Sequence, residues 1–526
     1  MKSQGTFLHG ALVLVIAGFI TKVIGFLYRI FAVRVVGPEG IGLYEMVIPV
    51  YTLILVVTTA GVPLAISKLV SEHVSLGNRK EVSKIFHVAL GFLICSGFIS
   101  VLLVFFLIPL LVDTVFADPR VYWCLLTLSP ILFITSISSA FRGYYQGLQQ
   151  MIPPALAQVV EQIVRVTAGV FFATLMLPYG IEYSVAGLAA GTLLGEIVGL
   201  LVLVFVYASN KPRVHQFSAR LQEQRTSSTT SILASLFSFA IPVSLSRLVN
   251  SLLLALQAII IPLRLQAAGN TLRQATELYG QFSGIALALL GIPTIITLSL
   301  STTLVPATSE ALSRNNYPLL RSRSMKALQV SLMVGLPSAV AFFLLPAQLC
   351  DMIFGTPEAG IPLKMMALGC IFLYLAQTSS GILQGLGKVG ITLGNSIAGA
   401  ICNIILVYIL TGNPVYGIMG TAIAMDVGWA LIAALNLYSV SSLTGISYSL
   451  RNFLIVPLGG AVVMGAIVFL SYQLLWAWTG KRILTIMGAL FAGGIAYFVY
   501  LLVSGTIEKE DLARLPFIGN FLNSIW

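Results

Sequence analysis

The chain is built from long apolar runs separated by short polar stretches along nearly its whole length. A helix needs about 20 apolar residues to cross the ~30 Å hydrocarbon layer of a membrane. Fourteen runs reach that length, which predicts an all-α polytopic membrane protein with about 14 transmembrane helices. The predicted spans are 9–31, 41–67, 85–111, 121–141, 152–177, 183–208, 231–262, 280–305, 325–347, 361–384, 390–410, 415–440, 452–475 and 483–504.

Composition agrees with this pattern. Of the 526 residues, 58% are hydrophobic and 9% are charged, whereas soluble domains carry about 25% charged residues. The five cysteines and four histidines lack the spacing of metal ligands or of paired thiols. We therefore expect no metal site, no cofactor and no catalytic residue. The first span carries cations in its middle and does not resemble a cleaved signal peptide.

The distribution of basic residues predicts the topology. An even number of spans places both termini on one side of the membrane. The termini and the loops on their side carry eighteen of the 29 Lys and Arg, and the opposite loops carry six. By the positive-inside rule both termini are predicted to be cytoplasmic. The net charge of +11 then reflects topology, and we expect no nucleic-acid partner.

Short motifs recur in the same order in two parts of the chain. Thr21-Lys22 matches Ser246-Arg247 at an offset of 225, and Gln146-Gly147-Leu148 matches Gln384-Gly385-Leu386 at an offset of 238. This predicts two parallel six-helix repeats that form N- and C-lobes, followed by two extra helices. The predicted domains are 1–228 with its linker, 229–445, and 446–526 with an interfacial tail. Parallel repeats are typical of transporters that use alternating access.

Several cations lie inside apolar spans. Lys22 and Arg29 are two helical turns apart, on one face with Gly18 and Gly25. A charge at membrane depth costs roughly +2.5 to +3.5 kcal/mol unless it meets protein, water or a counter-ion. Arg165 and Arg247 lie in other spans, and together these residues predict a cation-lined cavity for an anionic cargo. For Arg29 the alternative is a snorkelling residue near the outer interface.

The fifth predicted span carries four polar residues on one face. Gln158, Glu161, Gln162 and Arg165 are spaced at i, i+3, i+4 and i+7. The Glu161–Arg165 pair has the favourable i,i+4 order. Either Arg165 binds the cargo, or the pair neutralises itself and leaves Gln158 and Gln162 to meet sugar hydroxyls.

Four carboxylates also lie within spans: Glu45, Glu161, Glu196 and Asp426. Each is a candidate counter-ion for a cavity cation, a candidate carrier of a coupling ion (Na+ or H+), or a residue at a wet helix end. Glu45 ranks ahead of Asp426 because its helix follows the one that carries Lys22 and Arg29.

Three stretches carry a family resemblance: ITKVIGFLYR at 20–29, FRGYYQGLQ at 141–149 and PALAQVVEQIVR at 154–165. With the 6+6+2 layout they resemble the stage V sporulation protein B group of polysaccharide transporters, in the multidrug/oligosaccharidyl-lipid/polysaccharide exporter superfamily. Lys22 matches a basic position of the lipid II flippases in this superfamily. Tyr28 stands where those flippases often have Arg, and Arg29 follows it.

The resemblance implies a flippase in the bacterial cytoplasmic membrane. Its cargo would be an undecaprenyl-pyrophosphate-linked saccharide of the lipid II type, moved outward for peptidoglycan and, in the sporulation branch, for spore cortex. We expect a monomer that contacts membrane lipids and cell-wall synthesis proteins. The alternative is an ion-coupled multidrug or cation exporter of the same superfamily, which is disfavoured because those prefer acidic cavities. An enzyme is not expected, and no phosphate-binding G-x-x-x-x-G-K-[ST] motif for ATP occurs.

Overall fold

The computed structural model describes residues 2–209, 227–446 and 451–505, with side chains from residue 13 onward except at 15, 242, 243, 246 and 452. Most of the linker between the predicted repeats, and the predicted interfacial tail, lie outside the described residues. The rest of the chain is almost entirely helical. The α-helices are α1 (Lys2–Thr59), α2 (Val62–Ser75), α3 (Arg79–Thr114), α4 (Tyr122–Leu128), α5 (Ile131–Gly147), α6 (Ile152–Met176), α7 (Ile181–Ser209), α8 (Thr229–Ala267), α9 (Leu272–Tyr279), α10 (Leu287–Ser313), α11 (Tyr317–Leu344), α12 (Pro346–Phe354), α13 (Gly360–Met366), α14 (Gly369–Gly385), α15 (Val389–Leu406), α16 (Gly417–Thr444), α17 (Val456–Thr479) and α18 (Arg482–Val503).

The predicted class, an all-α polytopic membrane protein, is confirmed. Among the described residues, 12 segments are long and apolar enough to cross a membrane, or 13 if one bent pair counts as a span. The predicted count of 14 is therefore not confirmed. The predicted spans 9–31 and 41–67 fall largely within one continuous segment, Ile16–Ser75. The predicted span 361–384 is the bent pair, in which α13 and α14 meet at 57°.

A glycine interrupts the unusually long helix α1. Its 58 residues would extend about 87 Å if the helix were continuous, nearly three times the hydrocarbon thickness. Gly37, followed by Pro38, leaves the helical conformation with φ 69° and ψ 178°. Glycine adopts positive φ without the steric penalty of a Cβ. The break therefore separates two apolar stretches that are each long enough to be a span.

The chain divides into two compact units. Unit 1 comprises Met1–Gln266 and Asn270–Gly280, and unit 2 comprises Ala267–Gly269 and Gln281–Trp526. Unit 1 thus holds α8 and α9 together with the helices before them. The division by sequence repeat, with boundaries after residues 228 and 445, stays a prediction.

Unit 1 has a core of apolar side chains shared by α2, α3, α5 and the beginning of α8. Ile66, Phe86 and Leu236 are among its fully buried members. Tyr144 of α5 lies against Phe86, with ring centroids 4.5 Å apart. This packing fixes α5 against its neighbours and so positions the polar residues that α5 carries.

One end of unit 1 is closed by a polar network that we call the loop-end cluster: Glu39, Asp118, Arg120, Arg273 and Thr276. Arg120 binds Asp118 at 2.7 Å and Glu39 at 2.5 Å. The Thr276 hydroxyl donates to Asp118 at 2.8 Å, and Arg273 binds Glu39 at 3.1 Å. The cluster therefore joins α9 to the break in α1 and to the connection between α3 and α4.

Unit 2 is held by buried polar contacts as well as by apolar packing. Tyr374 of α14 donates to the carbonyl oxygen of Leu290 at 2.9 Å, and Ser331 shares a 2.6 Å hydrogen bond with Thr378. Asn436 of α16 donates to the Ser380 hydroxyl at 3.0 Å. Arg482, at the start of α18, forms an ion pair with Asp351 of α12.

Candidate functional site

Lys22 stands on an open face of α1. Its side chain is exposed, and among the described residues it has neither an ion pair nor a hydrogen bond. The neighbouring Gly18 would have no atom within 4 Å of an added Cβ. Gly25, predicted on the same face, instead approaches α6, because its Cβ would lie 3.3 Å from the Gln162 amide nitrogen. The predicted stripe therefore divides into an open part at Gly18 and Lys22 and a packed part at Gly25.

Arg29, about two helical turns beyond Lys22, has a counter-ion. Its guanidinium lies 2.6 Å from the carboxylate of Glu45, and the two side chains are 30% and 12% exposed. Tyr28, beside it, is buried against Gly169 and Leu188. The side chain at 28 therefore fills a gap between helices, and the charge at this level of α1 belongs to Arg29.

The second group of polar residues is the Arg–Glu cluster: Arg142 of α5, Glu161 and Arg165 of α6, and Glu196 of α7. Glu161 lies 2.6 Å from Arg142 and 2.5 Å from Arg165. Glu196 lies farther from both, 3.5 Å from Arg165 and 3.9 Å from Arg142. The i,i+4 pair predicted between Glu161 and Arg165 is thus present, as half of a four-residue network.

Glycines of α7 bring the members of this cluster together. Gly187, Gly191, Gly195 and Gly199 recur every four residues and face α6. A Cβ at Gly191 would overlap Gly169 of α6, and one at Gly195 would lie 2.8 Å from the Glu161 carbonyl oxygen. Small residues let membrane helices approach closely. Glu196 reaches Arg165 of α6 because the backbones are this close.

The two glutamines of α6 contact protein groups. Gln158 donates to the Thr21 hydroxyl at 3.3 Å. The Gln162 side-chain oxygen accepts from Arg165 at 3.2 Å, and Gln162 is buried. Gln158 is partly exposed, so it is the more accessible of the two to a sugar.

Arg247 lies on α8 and, like Lys22, is exposed. Within the described part of the chain it has no ion pair and no hydrogen bond. Asn250 is exposed beside it, while Ser251 is buried. Because α8 belongs to unit 1, Lys22 and Arg247 are two uncompensated cations of the same unit.

The remaining predicted carboxylate, Asp426, lies in unit 2 on α16. It contacts Gly369, the first residue of α14, and a Cβ at that position would collide with it. One carboxylate oxygen is buried without a hydrogen-bond partner among the described residues. Asp426 therefore belongs to unit 2, whereas the cations that the sequence singled out belong to unit 1.

Sequence reasoning placed Arg142 in a loop, and that placement is wrong. The predicted span ended at residue 141, whereas α5 continues to Gly147. Gly143 and Gly147, spaced four residues apart, pack against α2. That spacing was the available signal that the helix continues past Arg142, which would have placed its guanidinium inside the bundle.

The electrostatics of unit 1 follow from these contacts. The Arg–Glu cluster holds two positive and two negative groups, and Arg29 is matched by Glu45. Lys22 and Arg247 carry charge that no described carboxylate offsets. No group of three or more His, Cys, Asp or Glu lies close enough to hold a metal ion within residues 2–209, 227–446 and 451–505. The arrangement is suited to attracting an anion through cations, with no described metal-binding group.

Comparison with known proteins agrees with the helical fold. A model for polysaccharide biosynthesis proteins matches residues 7–312, and the MatE model matches residues 283–409. Stage V sporulation protein B of Bacillus subtilis (strain 168) is 33% identical over 99% of both chains. Lipid II flippase MurJ of the same organism is 24% identical over 97% of both chains.

Solved structures share the fold at lower identity. The structure of lipid II flippase MurJ in an inward closed conformation matches with a TM-score of 0.71 and 17% identity, covering 96% of this chain and 100% of that one. An inward-facing multidrug resistance MATE family transporter of the MOP superfamily matches with a TM-score of 0.64 and 17% identity, over 81% and 96% of the two chains.

Proposed function

The chain belongs to the polysaccharide biosynthesis protein family, and on that premise we propose that it is a flippase for an anionic lipid-linked saccharide. The cargo is an undecaprenyl-pyrophosphate-linked precursor of the lipid II type. The protein moves it outward across the bacterial cytoplasmic membrane by alternating access, with both of its own termini in the cytoplasm. It acts as a transporter and catalyses no covalent reaction.

The observation that carries this proposal is the pair of exposed, uncompensated cations in unit 1. Lys22 and Arg247 have no described carboxylate to offset them. A pyrophosphate diester brings about two negative charges, and hydrogen bonds between ionised groups are roughly twice as strong as neutral ones. Lysine offers a point charge, and arginine a planar fork that fits phosphate oxygens.

Partly exposed polar residues extend this site. Arg29, although paired with Glu45, remains 30% exposed and supplies a third donor beside Lys22. Gln158 is the amide that contacts sugar hydroxyls. Glu45 holds Arg29 in place, and its negative charge lowers the net positive charge around Lys22 and Arg29.

The test is the transbilayer movement of fluorescent lipid II in proteoliposomes that contain the full chain. A quencher added outside measures how much of the label becomes accessible. Ethidium, a cationic drug, is followed in parallel vesicles with an imposed ion gradient. Movement of lipid II without ethidium transport is the expected result. Movement of ethidium alone would replace the proposal with the exporter function of the MATE type.

The assignment to spore cortex is tested separately. The full-length similarity to stage V sporulation protein B supports it. We expect the gene for this chain to restore cortex in a Bacillus subtilis strain that lacks that protein. A strain given the Lys22→Ala variant is the matched control. Failure of the wild-type chain to restore cortex, although it is present in the membrane, would reject the cortex assignment.

A further inference from the structure

The Arg–Glu cluster is electrically neutral when all four of its groups are ionised. Arg142 and Arg165 offset Glu161 and Glu196. An anion that bound to either arginine would leave the cluster with excess negative charge in a region of low dielectric, which is unfavourable. Anion binding here therefore requires that one carboxylate lose its charge.

The two glutamates of the Arg–Glu cluster differ in their distances to the two arginines. Glu161 makes the short contacts, 2.5 and 2.6 Å, with the two guanidinium groups. Glu196 makes the long ones, 3.5 and 3.9 Å, and its Oε2 is buried with no hydrogen-bond partner in the described part of the chain. An ionised oxygen without a donor is costly to bury. Glu196 is therefore the carboxylate whose charge the cluster compensates least.

The arginines are the accessible part of the cluster. The side chains of Arg142 and Arg165 are 30% and 24% exposed, whereas those of Glu161 and Glu196 are 7% and 11% exposed. An anion approaching unit 1 therefore meets guanidinium groups before it meets carboxylates. Once Glu196 is neutral, the cluster carries one net positive charge.

The helices around Glu196 supply few other ionisable groups. Tyr51 of α1 is near enough to Glu196 to interact with it, and Tyr44 and Tyr28 lie near Arg165. Cys124 of α4 is buried beside Tyr44. Tyr179, in the turn before α7, is exposed. In the described part of the chain, the groups of neighbouring helices that interact with Glu196 or Arg165 are Tyr28, Tyr44, Tyr51, Arg142 and Glu161. Tyr145 of α5 donates to the Leu203 carbonyl oxygen of α7 at 3.3 Å.

We propose that the Arg–Glu cluster is a second anion site whose occupancy is linked to a proton on Glu196. A proton from the bulk solvent converts the carboxylate to the neutral acid. Arg142 and Arg165, still paired with Glu161, then carry one uncompensated positive charge that an anion can bind. The choice of a pyrophosphate diester as that anion rests on the proposed function. The site binds more tightly when the pH falls and releases its ligand when the proton leaves.

The experiment uses UDP-N-acetylglucosamine, a soluble pyrophosphate diester whose phosphate charges do not titrate near neutral pH. Its affinity for the full chain in nanodiscs is measured by calorimetry at mildly acidic and mildly alkaline pH. For the wild type we expect affinity about tenfold higher at the acidic pH, a coupling of ordinary size. Glu196→Gln resembles the protonated form, so it should bind tightly at both pH values.

Glu310→Gln is the matched control, because Glu310 is 48% exposed in an ion pair with Arg314. It should keep the pH dependence of the wild type. An unchanged pH dependence in Glu196→Gln would overturn the proposal, and so would pH-independent binding, or no binding, by the wild type.

Two further measurements keep the result decisive if Glu196→Gln does not fold. Calorimetry of the wild type in buffers with different ionisation enthalpies counts protons, and we expect about one taken up per ligand bound. Binding without proton uptake overturns the proposal.

Lipid II movement separates the two hypotheses. Normal flipping without proton linkage rejects only this inference, and proton linkage without flipping rejects only the proposed function.

Discussion

Five of the cations of unit 1 fall into two groups that differ in what surrounds them. Arg29, Arg142 and Arg165 each lie within 2.6 Å of a carboxylate. Lys22 and Arg247 are exposed and lack a described counter-ion. In the first group, Arg142 and Arg165 join α5, α6 and α7, and Arg29 joins the two parts of α1 on either side of Gly37. The second group offers its charge to a ligand. The role of a cation inside an apolar span therefore depends on whether it has a counter-ion in the fold.

The largest expected effect comes from breaking the paired group. Glu161→Gln removes the carboxylate that binds two arginines, and loss of one partner of a buried ion pair costs about 3–5 kcal/mol. We expect a large fall in the thermal unfolding temperature in detergent. Glu310→Gln, an exposed pair, should change stability by about 0–1 kcal/mol. Equal unfolding temperatures for the two variants would remove the structural role of the cluster.

The unpaired group is tested by Arg247→Ala. We expect lipid II movement to slow about tenfold to a hundredfold, because a hydrogen bond to a charged group contributes roughly 1.5–3 kcal/mol. The unfolding temperature should not change, since Arg247 is exposed and has no described partner. Arg314→Ala, an exposed cation of unit 2, is the control for nonspecific charge. Normal flipping by Arg247→Ala would take this residue out of the site.

A substitution at the helix crossing tests how the paired group is assembled. Gly191→Ala places a Cβ against Gly169, so α6 and α7 must separate; overpacking of this kind costs about 1–3 kcal/mol. The variant should be less stable than wild type and should weaken the proton linkage at Glu196. Gly394→Ala is its control, because a Cβ there meets nothing within 4 Å. Equal stability of the two variants would mean that the close approach is not needed.

The smallest effect is expected for Lys22→Arg. The open face of α1 leaves room for a longer side chain, and the charge is kept, so flipping should stay within about threefold of the wild type. Lys22→Gln removes the charge and should slow flipping as Arg247→Ala does. If Lys22→Arg abolished flipping while Lys22→Gln preserved it, the shape of the side chain and not its charge would be the requirement at position 22.

The apolar pattern was enough to predict the helical membrane class, because helix length in a membrane is set by bilayer thickness. The apolar pattern could not predict the number of membrane spans. The helix α1 continues through the interval between two predicted spans, with a break only at Gly37. Such a break depends on one φ angle, and apolar averages over 20 residues do not detect it.

Contacts within one helix could be predicted from the sequence, whereas contacts between helices could not. The Glu161–Arg165 pair follows from i,i+4 spacing, and it is present. Arg142 joins the same network from α5, 19 residues away in sequence, and nothing in local spacing shows this. The glycines that bring α7 close to α6 are visible in the sequence, but the helix they face is known only from the fold.

The loop-end cluster has a consequence for the order in which the protein is made. Asp118 is fully buried and accepts from Thr276, a residue that leaves the ribosome long after it. Unit 1 extends to Gly280, so more than half of the chain must be synthesised before this unit can close. Domains generally fold as units, and N-terminal ones fold first during synthesis. In this protein the N-terminal unit therefore stays incomplete in the membrane until α9 has been synthesised.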